Sequence, residues 1–526
     1  MKANILYSVL ILLLIYFAGL SETHAVSPAP DGCYPNFTTA EGCNALAGLG
    51  TGAGNTGLGW YALLSDSTGG FNTAVGAGAL TSNNADSNTA VGAAALLLNT
   101  SGTENTAVGT DALVFNDTGA QNNAFGAFAL QNNTTGSFNT AIGVSALQNN
   151  TIGTFNTATG VGALQNNTIS DSNTAIGVDA LFSNTTGAAN TATGVGALQH
   201  NLDGNDNTAH GVDALFNNTT GADNTATGVE ALLSNTVGAD NTATGFEALQ
   251  SNTDGGANTA VGLGALQSNI HGDSNTAIGD IALFSNNSNF NTAIGTSALQ
   301  DNTDGNTNTA IGVSALFNNT TGNSNTAIGF NAGLNLSTGE GNVYIGAAVA
   351  GAIGESFHTY IGNINTTTVS GGGTDTVTVD LTTGLLGHLS SSRRYKEDIK
   401  AMDKASESLY QLKPVTYRYK KEIDKTQSLA FGLVAEEAAE VNPGLVARNA
   451  QGQPESVHYE MVNAMLLNEF LKEHKKVEEQ QASISQLKRE MQTMVAQLKE
   501  QAAQIQKVST QLEVNKAATQ TVLNNQ

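Results

Sequence analysis

The chain has 526 residues, of which 12% are charged and 59 are glycine, and its formal net charge is −24. No Lys or Arg lies between residue 3 and residue 392, and this stretch holds 25 acidic residues after position 25. Such a surface repels phosphate backbones, which argues against nucleic-acid binding and for good solubility.

At the N-terminus, Lys2 precedes the apolar run Ile5 to Leu20, and polar Ser21, Glu22 and Thr23 lead to Ala25. This pattern is an export signal over residues 1–25 with cleavage expected after Ala25, an uncleaved membrane anchor being the alternative. No later stretch approaches the ~18 consecutive apolar residues that a spanning helix requires. Cys33 and Cys43, the only cysteines, follow within a cap over residues 26–54. Export favours a disulfide between them, and two thiolates with no nearby His are too few for zinc.

From Asn72 onward the unit Asn-Thr-Ala-(Val/Ile/Thr)-Gly-x-x-Ala-Leu recurs every 17 residues, with steps of 16 at Asn72 to Asn88 and Asn275 to Asn291. Degenerate copies at Asn55, Asn342 and His358 flank it, as expected of units that cap an array. In each unit the β-prone Thr-Ala-Val-Gly segment places Ala and Gly on one face and Thr and Val on the other. Ala-Leu then supplies an apolar anchor, and clusters such as Asn132-Asn133-Thr134-Thr135-Gly136 turn the chain. The expected fold is mainly β, a parallel β-roll or β-solenoid over residues 55–362. Its 18 steps from Asn55 to His358 give a rod of roughly 85 Å at the strand spacing.

Repeats of the form Asn-Thr-Ala-Ile-Gly resemble the left-handed parallel β-roll in heads of trimeric autotransporter adhesins. The resemblance implies a homotrimer, with small Ala and Gly positions letting three rolls approach, and a host-surface or glycan ligand. The membrane-anchor barrel that ends those adhesins has no counterpart in this sequence. His210 stands alone in its repeat slot, without companion ligands for a metal. Thr and Asn ladders also occur in ice-binding solenoids, an alternative use of such an array. Glycoside hydrolysis needs paired carboxylates on a rigid face, whereas Asp111, Asp179 and Asp213 fall in variable slots. No cofactor is expected.

Composition changes after Gly371, and a β-rich connector over 363–390 ends at Ser390-Ser391-Ser392-Arg393-Arg394. A small α+β unit follows, with a helix over 404–412, a strand over 414–419 and a long helix from near Met461. From Ile484 the a positions are Ile484, Met491, Leu498, Ile505 and Leu512, and the d positions are Leu487, Met494, Gln501 and Val508. That is a coiled-coil seam within residues 472–526.

Four ordered blocks carry a second resemblance: Ser391-x-x-Arg394-x-Lys396-Glu397, Leu412-Lys413-Pro414-Val415-x-Tyr417-x-Tyr419-Lys420, Gly432-Leu433-Val434-Ala435-Glu436, and His458-Tyr459. Residues 391–471 resemble the intramolecular chaperone domain that ends phage endosialidases, tail spikes and fibres, and some membrane-bound transcription factors. The likeness implies a domain that trimerises the upstream fibre and then cleaves the Ser390-Ser391 bond, with Ser391 as nucleophile, Lys396 as base and Arg394 in support. A neutral lysine can activate a serine hydroxyl, and burial or a nearby Arg lowers the lysine pKa toward working pH. The family often has Asp directly after the Ser, where this chain has Ser392. A permanent trimerisation clamp without cleavage is the competing expectation. The export signal favours a secreted or surface protein of a bacterial envelope.

Overall fold

The computed structural model describes residues 35–364, 377–381, 386–388, 390–449 and 451–523. The export signal and Cys33, with its expected disulfide to Cys43, lie outside them. The chain divides into two compact units, Met1–Thr367 and Thr368–Gln526.

The first unit is a parallel solenoid of twenty strands from β1 (Thr39–Glu41) to β20 (Thr359–Ile361), each of three residues and each paired with the next in chain order. Register follows the repeat, so that Thr191 faces Thr208, Ala192 faces Ala209 and Thr193 faces His210. Alternation along the strand turns the central alanine inward and its two neighbours outward. These alanines have no exposed surface at all, from Ala74 to Ala327. They therefore fill each chain's own core and are not the positions at which three rolls could touch, contrary to the expectation drawn from their small size.

The Ala-Leu pair closes the core from the opposite side, and every repeat leucine from Leu63 to Leu316 is fully buried. Each also sits in the left-handed backbone region, as Leu198 does at φ 53°. That conformation costs about 1–2 kcal/mol for an L-residue. Complete burial of a leucine contributes about 1.5–3 kcal/mol, which offsets it. The Leu198 N–H donates to Ala214 O at 3.0 Å, so this corner is tied to the next coil as well.

Two columns of asparagine run through the interior beside the apolar core, and all their members from Asn72 to Asn342 and from Asn83 to Asn319 are buried. In the first column Asn207 N–H donates to Asn190 Oδ1 at 3.0 Å, while Asn190 Nδ2 donates to Gly204 O at 2.8 Å. In the second, Asn201 Nδ2 donates to Asn184 Oδ1 at 2.8 Å and to Gly204 O at 3.0 Å. An amide that stacks on an identical amide satisfies both its donor and its acceptor, which is what makes so much buried polarity tolerable. Being interior, these amides present no Asn ladder to solvent for ice.

The 16-residue coils lose their residue in the turn between the two columns. Asn83 Nδ2 reaches the carbonyl two residues on, Ala85 O at 2.8 Å, where Asn99 reaches three on to Gly102 O at 2.9 Å. Both columns stay in register across the deletion. Glycine follows the strand because nothing else fits there: Gly194 has φ 143°, and a Cβ on it would lie 2.1 Å from Gly211 O.

The ends of the columns differ from their middles. Asp66 opens the second column, and Leu336 ends it, leaving Asn319 Oδ1 as a buried acceptor with no partner. At the C-terminal end Tyr344 takes the place of the strand alanine. Its hydroxyl donates to Glu355 Oε1 at 2.7 Å, Tyr360 donates to Glu355 Oε2 at 2.9 Å, and the two rings stack at 5.7 Å.

In the second unit a short antiparallel pair, β21 (Thr378–Val379) and β22 (Leu386–Gly387), precedes the small α+β module. The module holds the 3-10 helix Asp403–Gln411, strands β23 (Val415–Tyr417) and β24 (Ala430–Gly432) paired antiparallel, helix α1 (Ala435–Val441), and the pair β25 (Val446–Arg448) with β26 (Pro454–Val457). Helix α2 (Tyr459–Leu523) then runs for 65 residues, about 100 Å at the helical rise. Among the described residues no helix is long and apolar enough to cross a membrane.

Candidate functional site

The Ser390 to Lys396 segment forms a single tight turn. Ser392 caps the 3-10 helix Arg393–Tyr395, its hydroxyl accepting from the Arg394 N–H at 3.3 Å and from Arg394 Nε at 3.2 Å. Ser392 N–H in turn donates to Ser390 Oγ at 3.3 Å. The Arg394 guanidinium lies 5.6 Å from the centre of the Tyr395 ring. Arg394 is thereby engaged with Ser392 and not with Ser391.

Ser391 and Lys396 bracket this turn, and both are exposed. Among the described residues no hydrogen bond joins the Ser391 hydroxyl to the Lys396 amine, and none links residues 391–397 to the other three sequence blocks. In a single chain Ser391 and Lys396 stand five positions apart with no hydrogen bond between their side chains.

The remaining blocks do converge. Strand β23 brings Tyr417 beside β24, the Tyr459 hydroxyl accepts the Leu433 N–H at 2.9 Å, and the His458 N–H donates to Leu445 O at 2.8 Å. Gly432 leaves room at their meeting point, where a Cβ would lie 2.6 Å from the Tyr459 hydroxyl and would push that side chain aside.

A second polar cluster was not visible in the sequence. Ser406 is fully buried and Glu469 is 6% exposed, and the Ser406 hydroxyl donates to Glu469 Oε1. Lys472 Nζ lies 2.6 Å from the same oxygen, Tyr410 donates to Glu469 Oε2 at 2.9 Å, and Asn468 Nδ2 donates to Ser406 Oγ at 2.6 Å. The hydrogen bonds from Lys472 and Ser406 hold the Glu469 carboxyl down to about 2. Lys472 also comes within 3.4 Å of Ser406 Oγ. This serine and lysine are no nucleophile and base, for the hydroxyl is sealed from solvent and the ammonium is ion-paired. The cluster pins α2 to the 3-10 helix Asp403–Gln411. Its one sequence signal is Glu469 set amid Met465, Leu466, Leu467 and Phe470; its partner Ser406 is 63 residues away.

Little else holds the second unit together. Its buried side chains among the described residues are Ser406, Ala438, Leu445, Val446, Met465 and Glu469, whereas Tyr395, Ile423 and Phe431 are each more than 70% exposed. Along α2 the heptad residues Ile484, Leu487, Met491, Leu498 and Leu512 are all exposed. A module of this size with so thin a core is marginal by itself.

Comparison with known proteins gives one family match. Residues 391–447 match the family model described as the chaperone of endosialidase, a match that begins on Ser391 and ends before the His458-Tyr459 block. A search of curated proteins returns no match.

Proposed function

We propose that the protein is an exported, trimeric, fibre-like surface protein whose C-terminal module drives trimer assembly and then severs itself at the Ser390-Ser391 bond. The observation that carries this reading is the endosialidase-chaperone match starting on Ser391, directly after a parallel β-solenoid. The exposed heptad face of α2 and the thin core of the module support it, since both gain burial only from neighbouring chains.

In this reading assembly completes the site. Burial of the exposed Ser391 to Lys396 turn among neighbouring chains would disfavour the charged amine of Lys396. The neutral amine takes the Ser391 hydroxyl proton, and Oγ attacks the Ser390 carbonyl carbon. The peptide C–N bond breaks, its nitrogen gains a proton, and an ester joins Ser390 to Ser391 Oγ. Water then hydrolyses the ester, leaving a carboxylate on Ser390 and a free amine and hydroxyl on Ser391. Arg394 orients the turn through Ser392.

A denaturing gel of the purified chain beside its Ser391→Ala variant tests the proposal, with N-terminal sequencing of any fragment of about 136 residues. Wild type alone should release a fragment that begins at Ser391, and Lys396→Ala should abolish release as well. Intact chains in a folded trimer would make the module a permanent clamp and remove the peptidase step.

A further inference from the structure

Each ladder glycine is flanked by two outward residues, the last of its strand and the first of the following turn. Across the 19 successive glycines from Gly59 to Gly362, at least one of the two is Val, Ile, Leu, Phe or Trp. The pattern is compensated. Where the residue before the glycine is polar, at Thr159, Thr193, His210, Thr227 and Thr244, the residue after it is valine, or phenylalanine at 246. Where the residue after it is Asp280, Thr296 or Asn363, the one before is isoleucine. Most of these apolar side chains are exposed, from Val91 at 36% to Phe330 at 56%, while Leu58, Val75 and Val108 are partly buried. The result is an apolar stripe that runs unbroken over the coils from Gly59 to Gly362, the first coil carrying Glu41 beside Gly42 in its place, and the 16-residue coils that start at Asn72 and Asn275 lose their residue elsewhere, in the turn between the Asn columns.

We infer that this stripe is the face on which copies of the chain pack against one another, parallel and coil to coil; the inference rests on the trimeric reading and locates its contact surface in the solenoid. Two observations select a second copy as the occupant. Of the 25 acidic residues between positions 26 and 392, only Asp280 lies on the stripe and Glu41 at the head of its column in the first coil, and no base between these positions neutralises the others. Like-charged copies can approach closely along a face that carries so little charge, and on this one the contact is apolar as well. The stripe also repeats at the strand spacing of about 4.8 Å, and an α-helix, with a 5.4 Å pitch, falls out of step with it within a few turns. Another copy of the same solenoid keeps step over all 19 coils, so apolar side chains meet apolar side chains throughout.

The test uses the full chain with Cys33 and Cys43 changed to serine, carrying Val195→Cys or Leu263→Cys on the stripe, or Ser234→Cys on another face. Oxidation followed by a denaturing gel reads contact, and light scattering of the same samples reads the number of chains. The expected result is a trimer in which Val195→Cys and Leu263→Cys each convert to cross-linked dimer, while Ser234→Cys stays monomeric on the gel. A trimer in which the stripe cysteines link no better than Ser234→Cys overturns the stripe and leaves trimerisation standing, a co-purified protein or glycan on the stripe being one form of that outcome. Linking only between Val195→Cys and Leu263→Cys chains in a mixture overturns the in-register arrangement. A monomer overturns both readings.

Discussion

A buried asparagine in this solenoid is held by its counterparts above and below, so its contribution is that of a link in a chain. Replacing Asn190 by Ala removes the acceptor of the Asn207 N–H and the donor to Gly204 O. The Asn207 N–H is left unpaired, which costs about 1–3 kcal/mol, whereas Gly204 O keeps the bond from Asn201 Nδ2. In a repeat structure that loss stays near its own coil, so Asn190→Ala should raise hydrogen exchange in the adjoining coils while distant ones keep their protection. Asp66 is the converse case, a carboxyl where its neighbours in the column are amides. Burial pushes its pKa up to about 6, against hydrogen bonds from the Gly69 N–H, Asn83 and Asn72 that pull it down. A carboxyl pKa raised above the unfolded value, near 3.9, stabilises the fold below that value, and the contribution is lost as pH rises through about 6. Asp66→Asn should therefore stabilise the first coils by about 1–2 kcal/mol at pH 7, after allowance for solvent screening, and by little below pH ~4. Thermal unfolding of both chains at the two pH values measures the difference.

At the scale of elements, the coil and the long helix obtain their stability in opposite ways. A coil buries its Ala-Leu core and its amides within its own chain, whereas α2 leaves its heptad face open. Leu498→Asp places a charge in the middle of that face and removes a leucine whose burial in an assembled seam is worth about 2–5 kcal/mol. The variant should lose trimers by light scattering and, although Ser391 is intact, should release no fragment. The Glu469 cluster acts locally within this unit, tying α2 to the 3-10 helix beside it through Ser406 and Tyr410.

For the whole molecule, the repeat made the parallel solenoid legible, because a fixed 17-residue period with inward Ala and Leu leaves the chain few other ways to bury them. The destination of the asparagines was not legible. They are turn-formers by habit, and only coils in register show that each amide finds its partner 16 or 17 residues away. Size alone also misplaced the alanines, since smallness suits a chain's own narrow interior as well as an interface. The chaperone-like module was readable from its ordered blocks, and the family match begins on Ser391, whereas no hydrogen bond joins Ser391 to Lys396 in a single chain. Ser406 and Glu469 were unreadable because nothing in either local segment refers to the other.

The amide columns and the glycine ladder have a further consequence for the solenoid's reach. Each coil contacts only its neighbours, and the special residues Asp66, Leu336 and Tyr344 sit at the two ends. Whole coils can therefore be gained or lost between those ends without disturbing either. Every 17-residue segment inserted into the gene in phase would extend the solenoid by about 4.8 Å. The solenoid is in this sense a ruler graduated in coils, and its length is a copy number written in DNA.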